Sequence, residues 1–205
     1  MESAAGDGQL ILALAASTGY FLGSIPFGLV LCWMAGHGDI RKIGSGNIGA
    51  TNVLRTGNKP LAAATLLLDS GKGGAAVLIF ATLGLEPALV AGLAAVLGHN
   101  FPIWLKFQGG KGFATTLGTL LAAAWPVGLL ACVTWLACAA IFRMSSLAAL
   151  VAATASPFYA WWLESWQVAA LAGALAVLAI IRHHANIGRI LRGEEPRIGR
   201  KKSSQ

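Results

Sequence analysis

Apolar runs long enough to cross a bilayer recur along this chain, and nothing else in it constrains the fold so tightly. Five are clear, at residues 9–34, 60–83, 87–105, 146–163 and 167–181. A transmembrane helix takes about 20 mostly apolar residues. A further stretch, 113–142, is 30 residues long and is interrupted by Trp125-Pro126. A single helix of that length would reach about 45 Å, against a hydrocarbon core about 30 Å thick. The stretch therefore reads as two helices, a short one near 112–124 and a longer one at 126–142. Composition agrees. Of the 205 residues, 56% are hydrophobic and 11% charged, where a soluble domain carries about 25% charge.

The expected fold class is an all-α integral membrane protein with seven transmembrane helices. The spans are placed at about 9–34, 60–83, 87–105, 112–124, 126–142, 146–163 and 167–185, in a single transmembrane domain 1–205 with a basic cytoplasmic tail 186–205. With seven spans, Arg41, Lys42, Arg55, Lys59, Lys106, Lys111, Arg143 and everything from Arg182 to Lys202 fall on one side. Glu2, Asp7, Glu86 and Glu164 fall on the other. Short cytoplasmic loops are enriched in Lys and Arg, so the N-terminus is expected outside and the C-terminus in the cytoplasm. The acidic start MESAAGDGQL lacks the basic region of a secretory signal, and the first segment reads as an uncleaved span. Cys32, Cys132 and Cys138 lie inside apolar runs with no C-x-x-C pair, which fits small core residues and neither a disulfide framework nor a zinc site.

The net charge of +7 thus gathers on the inner face. Attraction to anionic headgroups accounts for the tail, but not for isolated charges inside glycine-rich loops. Three polar islands share that face: IGSGNIGATNVLRTG at 43–57, GHNFPIWLKFQGGKGFATTLG at 98–118 and RHHANIGRILRGEE at 182–195. Irregular backbone near membrane depth is tolerated where it is buried in protein or lines a cavity.

In the second island, Gly109, Gly110, Lys111 and Gly112 run into a helix expected to start near Phe113. Glycines allow close backbone approach, and a helix N-terminus offers free N–H groups and partial positive charge, which together suit phosphate. A nucleotide P-loop is excluded, because Gly112 stands where Ser or Thr must follow the lysine and no strand precedes. In the first island, Gly44, Ser45, Gly46, Asn47, Thr51 and Asn52 supply flexible backbone and short polar side chains. If 47–54 forms a short helix, Arg55 reaches back over the glycine loop as a bidentate phosphate partner. In the third, His183 and Asn186 are spaced to share a helix face; a histidine near neutrality accepts a proton or donates a hydrogen bond. His99, His183 and His184 lack nearby carboxylates in a metal-ligand pattern. Asp69 and Lys72, three residues apart inside a span, read as an internal pair supporting the bundle or the first loop.

Glycine-rich anion loops, Lys111, Arg55, hydroxyls and a histidine, opening beside lipid, suit a substrate with phosphate groups and a long acyl chain. Such a site would work by positioning and charge stabilisation. The three islands, in this order and spacing, resemble the signature segments of the bacterial acyl-phosphate:glycerol-3-phosphate acyltransferases over about residues 15–195. The resemblance implies transfer of an acyl group from acyl phosphate to the 1-hydroxyl of glycerol 3-phosphate, giving lysophosphatidic acid and inorganic phosphate. It also implies no metal or other cofactor, no nucleic acid, a bacterial inner-membrane location with the site facing the cytoplasm, and a soluble partner enzyme that makes the acyl phosphate. Ser45, Arg55, Lys111, His183 and Asn186 match the family's catalytic residues. Gly44, Gly46, Asn47, Thr51, Asn52, Gly109, Gly110, Gly112 and Ser146 are expected to bind substrate or phosphate, with Asp69, Lys72 and Glu194 in support. The doubled acid leaves Glu194 or Glu195 open for the family's glutamate. Ile48 stands where the family often has proline. The rival readings are a transporter or flippase for a phosphorylated metabolite or lipid, and a noncatalytic scaffold. Transporters usually place their site near the midplane between repeats, and no internal repeat is visible here.

Overall fold

The computed structural model describes residues 2–199, with side chains from residue 6 onward. Arg200, Lys201 and Lys202 of the expected basic tail, and the side chain of Glu2, lie outside the described residues. Ten α-helices follow one another among the described residues: α1 (Glu2–Gly23), α2 (Phe27–Met34), α3 (Ala50–Val53), α4 (Lys59–Ala81), α5 (Leu85–Asn100), α6 (Phe113–Ala123), α7 (Trp125–Phe142), α8 (Ser145–Leu163), α9 (Trp166–Arg182) and α10 (His184–Leu191).

Each break has a local cause. The first apolar run is not one continuous helix as expected: Pro26, with no N–H to continue the ladder, separates α1 from α2. Trp125-Pro126 ends α6 and begins α7, with Pro126 in the first turn of α7 where its missing N–H costs nothing. Asn58 caps α4 through Leu61 N–H, and Ser165 caps α9 through Val168 N–H. The run expected to continue through residue 185 stops at Arg182, and α10 leaves α9 at an angle of 64°. Residues 186–191, expected to open the tail, are therefore a helix whose Asn186 is buried.

Among the described residues, five helical segments are long and apolar enough to cross a membrane, and the bent pair α9–α10 counts as a sixth if taken as one span. The fourth expected span, the short one, is α6; it has 11 residues and covers about 16 Å. Side chains are distributed as lipid demands. Leu67, Leu78, Leu136, Trp161 and Trp162 project outward, while Ala15, Ala91, Ala95, Ala148, Ala152 and Ala172 are fully buried. Small residues at the contacts let helix backbones approach. A Cβ on Gly19, Gly23 or Gly98 would lie about 2 Å from a carbonyl oxygen of the facing helix, at 2.2, 2.0 and 2.1 Å respectively, so α1 packs directly on α5. Gly118 approaches Ser70 in the same way where α4 meets α6. α7 packs on α8 and α8 on α9, around Leu120, Val127, Leu171 and Leu175.

Inside this bundle lies a buried charged group. Lys72 Nζ is 2.9 Å from Asp69 Oδ1, and both side chains are almost fully enclosed. Lys72 also donates to the carbonyl of Ile25 at 2.8 Å and faces the Phe27 ring at 5.7 Å. The pair therefore satisfies a backbone oxygen freed where the first helix breaks, which is how a break at this depth becomes tolerable. His99 Nδ1 lies 3.6 Å from the same carboxylate oxygen. Asp69→Ala would strand the Lys72 ammonium in an apolar interior, at a cost of about 3 kcal/mol or more. The expected outcome is a lowered thermal midpoint in detergent, and the double change Asp69→Ala/Lys72→Met should recover part of it; equal midpoints for wild type and Asp69→Ala would contradict the assignment.

Candidate active site

The first island is folded around one side chain. After a single 3₁₀ turn at Ile40–Lys42 the backbone enters left-handed conformations at Gly44 (φ 59°) and Gly46 (φ 71°), which only glycine adopts freely. Asn52, at 1% exposure, then closes the loop. Its Nδ2 donates to the carbonyls of Ile40, Ile43 and Asn47 at 3.0, 2.9 and 2.8 Å. Its Oδ1 accepts from Ser45 N–H at 3.0 Å and from the Ser45 hydroxyl at 3.2 Å. Arg55 folds back as the spacing led one to expect: a Cβ on Gly44 would sit 2.6 Å from Arg55 Cδ and Nη1. The helix expected at 47–54 is shorter, α3 followed by a 3₁₀ turn at Leu54–Thr56.

The second island turns on backbone pairing. Gly110 N–H donates to the His99 carbonyl at 3.0 Å and Gly109 N–H to the Asn100 carbonyl at 3.2 Å. No side chain fits at Gly110, where a Cβ would lie 2.1 Å from His99 Nε2. Gly112, with φ 77°, starts α6, and Thr116 N–H takes the Gly112 carbonyl. The first N–H groups of α6, beside Lys111, thus have no intrahelical partner and mark its positive end.

The third island differs from expectation in shape. The helix breaks at His183, so His183 and Asn186 do not sit on one continuous face. Both are nevertheless buried, at 3% and 5% exposure. His183 Nδ1 lies 2.7 Å from the Ala179 carbonyl. A carbonyl only accepts, so Nδ1 carries the proton and Nε2 is left as the acceptor nitrogen. Beyond α10, Gly193 (φ 71°) turns the chain and Glu195 returns to the bundle. Its Oε1 accepts from Ser146 Oγ and Asn186 Nδ2, each at 2.6 Å, and its Oε2 from Arg189 Nε at 2.7 Å.

The islands meet. Lys111 Nζ donates to Asn186 Oδ1, joining the second island to the third. Thr51 Oγ1 lies 3.3 Å from Ser145 Oγ, joining the first to the start of α8, where Ser146 holds Glu195. Burial pushes the Lys111 ammonium down to about 8; Glu195 opposes the shift, while Arg189, Arg182 and Arg55 add to it. An arginine from the first island and two from the third therefore bear on the lysine of the second. Burial alone would raise the Glu195 carboxyl, but hydrogen bonds from Ser146, Asn186 and Arg189 outweigh it and hold the group below the usual carboxylate range.

Gly44, Ser45, Gly46, Asn47 and Arg55 form the outer loop, and Gly109, Gly110, Lys111 and Gly112 the inner one. Two expectations change. Asn52 was placed among the phosphate ligands, yet its carboxamide is consumed by its own loop and serves as a scaffold. Glu194, expected in support, lies on the surface paired with Arg192 at 2.8 Å, and Glu195 takes the internal place. Asp69 and Lys72 sit deeper, beneath the loops. Sequence reasoning gave Arg182, Arg189 and Arg192 only a role as nearby charge, and did not bring His99 to the site. The glycine turn at Gly193 followed by Glu-Glu-Pro was the available signal that the chain doubles back.

The family profile for glycerol-3-phosphate acyltransferase matches residues 13–193. A glycerol-3-phosphate acyltransferase of Paramagnetospirillum magneticum is 65% identical over 95% of this chain and 98% of its own length. One of Rhodospirillum rubrum is 62% identical over 95% and 94%. Crystal structures of PlsY, an integral membrane glycerol 3-phosphate acyltransferase, superpose in the glycerol 3-phosphate form with a TM-score of 0.87 at 36% identity, over 92% of this chain and 96% of that one. The lysophosphatidic acid form gives 0.85 at 35%, over 92% and 95%. The chain belongs to the bacterial, membrane-integral glycerol-3-phosphate acyltransferase family of the PlsY type.

Proposed function

We propose that the protein transfers the acyl group of an acyl phosphate to the 1-hydroxyl of glycerol 3-phosphate, giving lysophosphatidic acid and inorganic phosphate, the first step of phospholipid synthesis. The observation that carries this reading is the convergence of Lys111, Asn186 and Glu195 with Arg55, Arg182 and Arg189 at one end of an apolar bundle. The cluster has an excess of positive charge and a glycine-rich loop, and two phosphorylated substrates would neutralise it. The acyl tail would lie in the apolar bundle. Seven crossings, with the N-terminus outside and this end of the bundle facing the cytoplasm of a bacterial inner membrane, complete the reading as a single transmembrane domain. A soluble enzyme would supply the acyl phosphate.

In the reaction the glycerol oxygen attacks the acyl carbonyl carbon and forms the ester bond. The bond from that carbon to the phosphate oxygen breaks, and phosphate leaves with the electron pair. Lys111, Arg55 and the N–H groups at the start of α6 stabilise the charge on the phosphates. The hydroxyl proton passes to an oxygen of the leaving phosphate, which lies beside the attacking group, while His183 and Asn186 orient the glycerol. His183 Nε2 is the alternative acceptor.

Purified protein in detergent, mixed with acyl phosphate and glycerol 3-phosphate, should form lysophosphatidic acid. Transport needs sealed compartments and acyl transfer does not, so an inert detergent preparation that moves glycerol 3-phosphate across vesicles would favour a transporter. His183→Asn should slow the reaction without removing a titrating limb from the pH–rate profile; disappearance of that limb would make the histidine the base. Lys111 carries its charge only below about pH 8. In wild type, kcat/KM, which reports the free enzyme, should therefore fall as pH rises through about 8. Lys111→Arg, charged throughout, should move that fall out of range, and an unshifted limb would remove Lys111 from the role.

A further inference from the structure

The glycine loop presents a problem that its sequence conceals. A loop built to hold an anion must show N–H groups and hide carbonyl oxygens, yet every peptide unit carries both. At Gly109 and Gly110 the structure resolves this with Arg182. Arg182 Nε donates to the Gly110 carbonyl at 3.0 Å, and Nη2 to the Gly109 carbonyl at 2.8 Å. The N–H groups of the same two residues are already paired with the carbonyls of Asn100 and His99. The Gly109–Gly110 peptide unit is thereby bonded at both its N–H and its carbonyl, the Gly110 carbonyl is covered as well, and the first N–H groups of α6, which lack an intrahelical partner, follow directly. The guanidinium is itself held over the Phe101 ring, 5.1 Å from its centroid. His99 Nε2 lies against Gly110 from the α5 side.

We infer that Arg182 is a positioning residue: its two-headed grip on the Gly109 and Gly110 carbonyls hides those oxygens and fixes the glycine loop, so that the N–H groups following it at the start of α6 face a substrate phosphate. The arginine does this through geometry more than through charge. A guanidinium presents parallel donors in a rigid fork, and an ammonium is a point charge on a flexible stem. Lysine in its place keeps the charge and loses the simultaneous hold on two carbonyls. Because His183 is the next residue, a disturbance that acted through the histidine would lower kcat, whereas a misplaced loop raises KM for the phosphate it binds.

The inference rests on the acyl-transfer reading only for its kinetic arm. The experiment compares full-length wild type, Arg182→Lys and Arg182→Ala in detergent. It measures kcat and KM for both substrates and, separately, thermal protection by inorganic phosphate. Expected for Arg182→Lys is a KM at least about tenfold higher for one substrate, the loss of one charge-assisted hydrogen bond. The kcat change should be smaller and phosphate protection weaker. Guanidinium ion should restore Arg182→Ala more than ammonium does. Wild-type KM values and wild-type protection in Arg182→Lys overturn the inference, as does a fall confined to kcat. If neither Arg182 variant folds, Phe101→Leu decides. A rise in the same KM supports the positioning role, and unchanged KM values with unchanged protection reject it. Wild type that is protected by phosphate but transfers no acyl group would sink the acyl-transfer reading, and the protection series would still judge Arg182.

Discussion

The Lys111 ammonium and the Glu195 carboxylate sit at the end of an apolar bundle, where a charge without partners is costly, and their mutual satisfaction governs the arrangement around them. Glu195 is bonded by a hydroxyl from α8 and by an amide and a guanidinium from α10. Asn186 bridges it to Lys111. Remove the carboxylate and the three donors lose their common acceptor, while Lys111 faces Arg55, Arg182 and Arg189 with no counter-charge. A site with this much unbalanced positive charge is held together by one acid and, under the proposed function, is completed by the substrate anions. That is the electrostatic signature of preorganised binding, in which the protein pays for orienting its dipoles during folding and not during the reaction.

The bundle's packing makes such a site possible. Lipid offers little hydrophobic reward for burying large apolar side chains, so alanine, glycine and polar groups share the interior with a few leucines and valines, while many leucines and tryptophans face outward. Close backbone contacts between α1 and α5, and between α4 and α6, hold the loop before α6 over His99. Asp69 and Lys72 lie one layer deeper and satisfy the carbonyl at Ile25. The broken first helix and the glycine loop therefore stand on the same polar stratum.

What could be read from the sequence followed from periodicity and from chemistry that acts locally. The apolar runs gave the helices, Trp125-Pro126 gave the division between α6 and α7, and the three islands stood out against their surroundings. Arg55 folding back over Gly44 was legible because it spans only a few residues. The break at Pro26 was overridden by the strength of the apolar signal, since hydropathy is blind to where a helix interrupts itself. The bend at His183 was missed because no glycine or proline stands beside His183, and the nearest, Gly188, lies inside α10 and not at the break. The choice of Glu195 over Glu194 depends on a turn at Gly193 after which Glu195 meets Arg189 nearby and Ser146, 49 residues away in sequence. Asn52 was misassigned for a related reason. An asparagine in a glycine-rich loop has the same composition whether it binds a ligand or builds the loop, and only the count of its bonded atoms separates the two.

That count also bears on chemistry. Both Glu195 oxygens are engaged and the carboxyl is held ionised, so it is poorly placed to shuttle a proton. The Asn52 carboxamide is spent on its loop. The Arg182 fork is turned to Gly109 and Gly110, and His183 has one nitrogen fixed on Ala179. Among the described residues gathered here, His183 keeps Nε2 as a ring nitrogen with no hydrogen-bond partner. An acyl phosphate is an activated donor that brings its own base in its phosphate oxygens. A site rich in fixed donors and poor in free acceptors suits, under the proposed reaction, a substrate that carries its own base. Under the proposed reaction, the economy of bases in the pocket is a consequence of the substrate's chemistry, and the glycine loop and its arginine clamp are where the protein's own contribution lies.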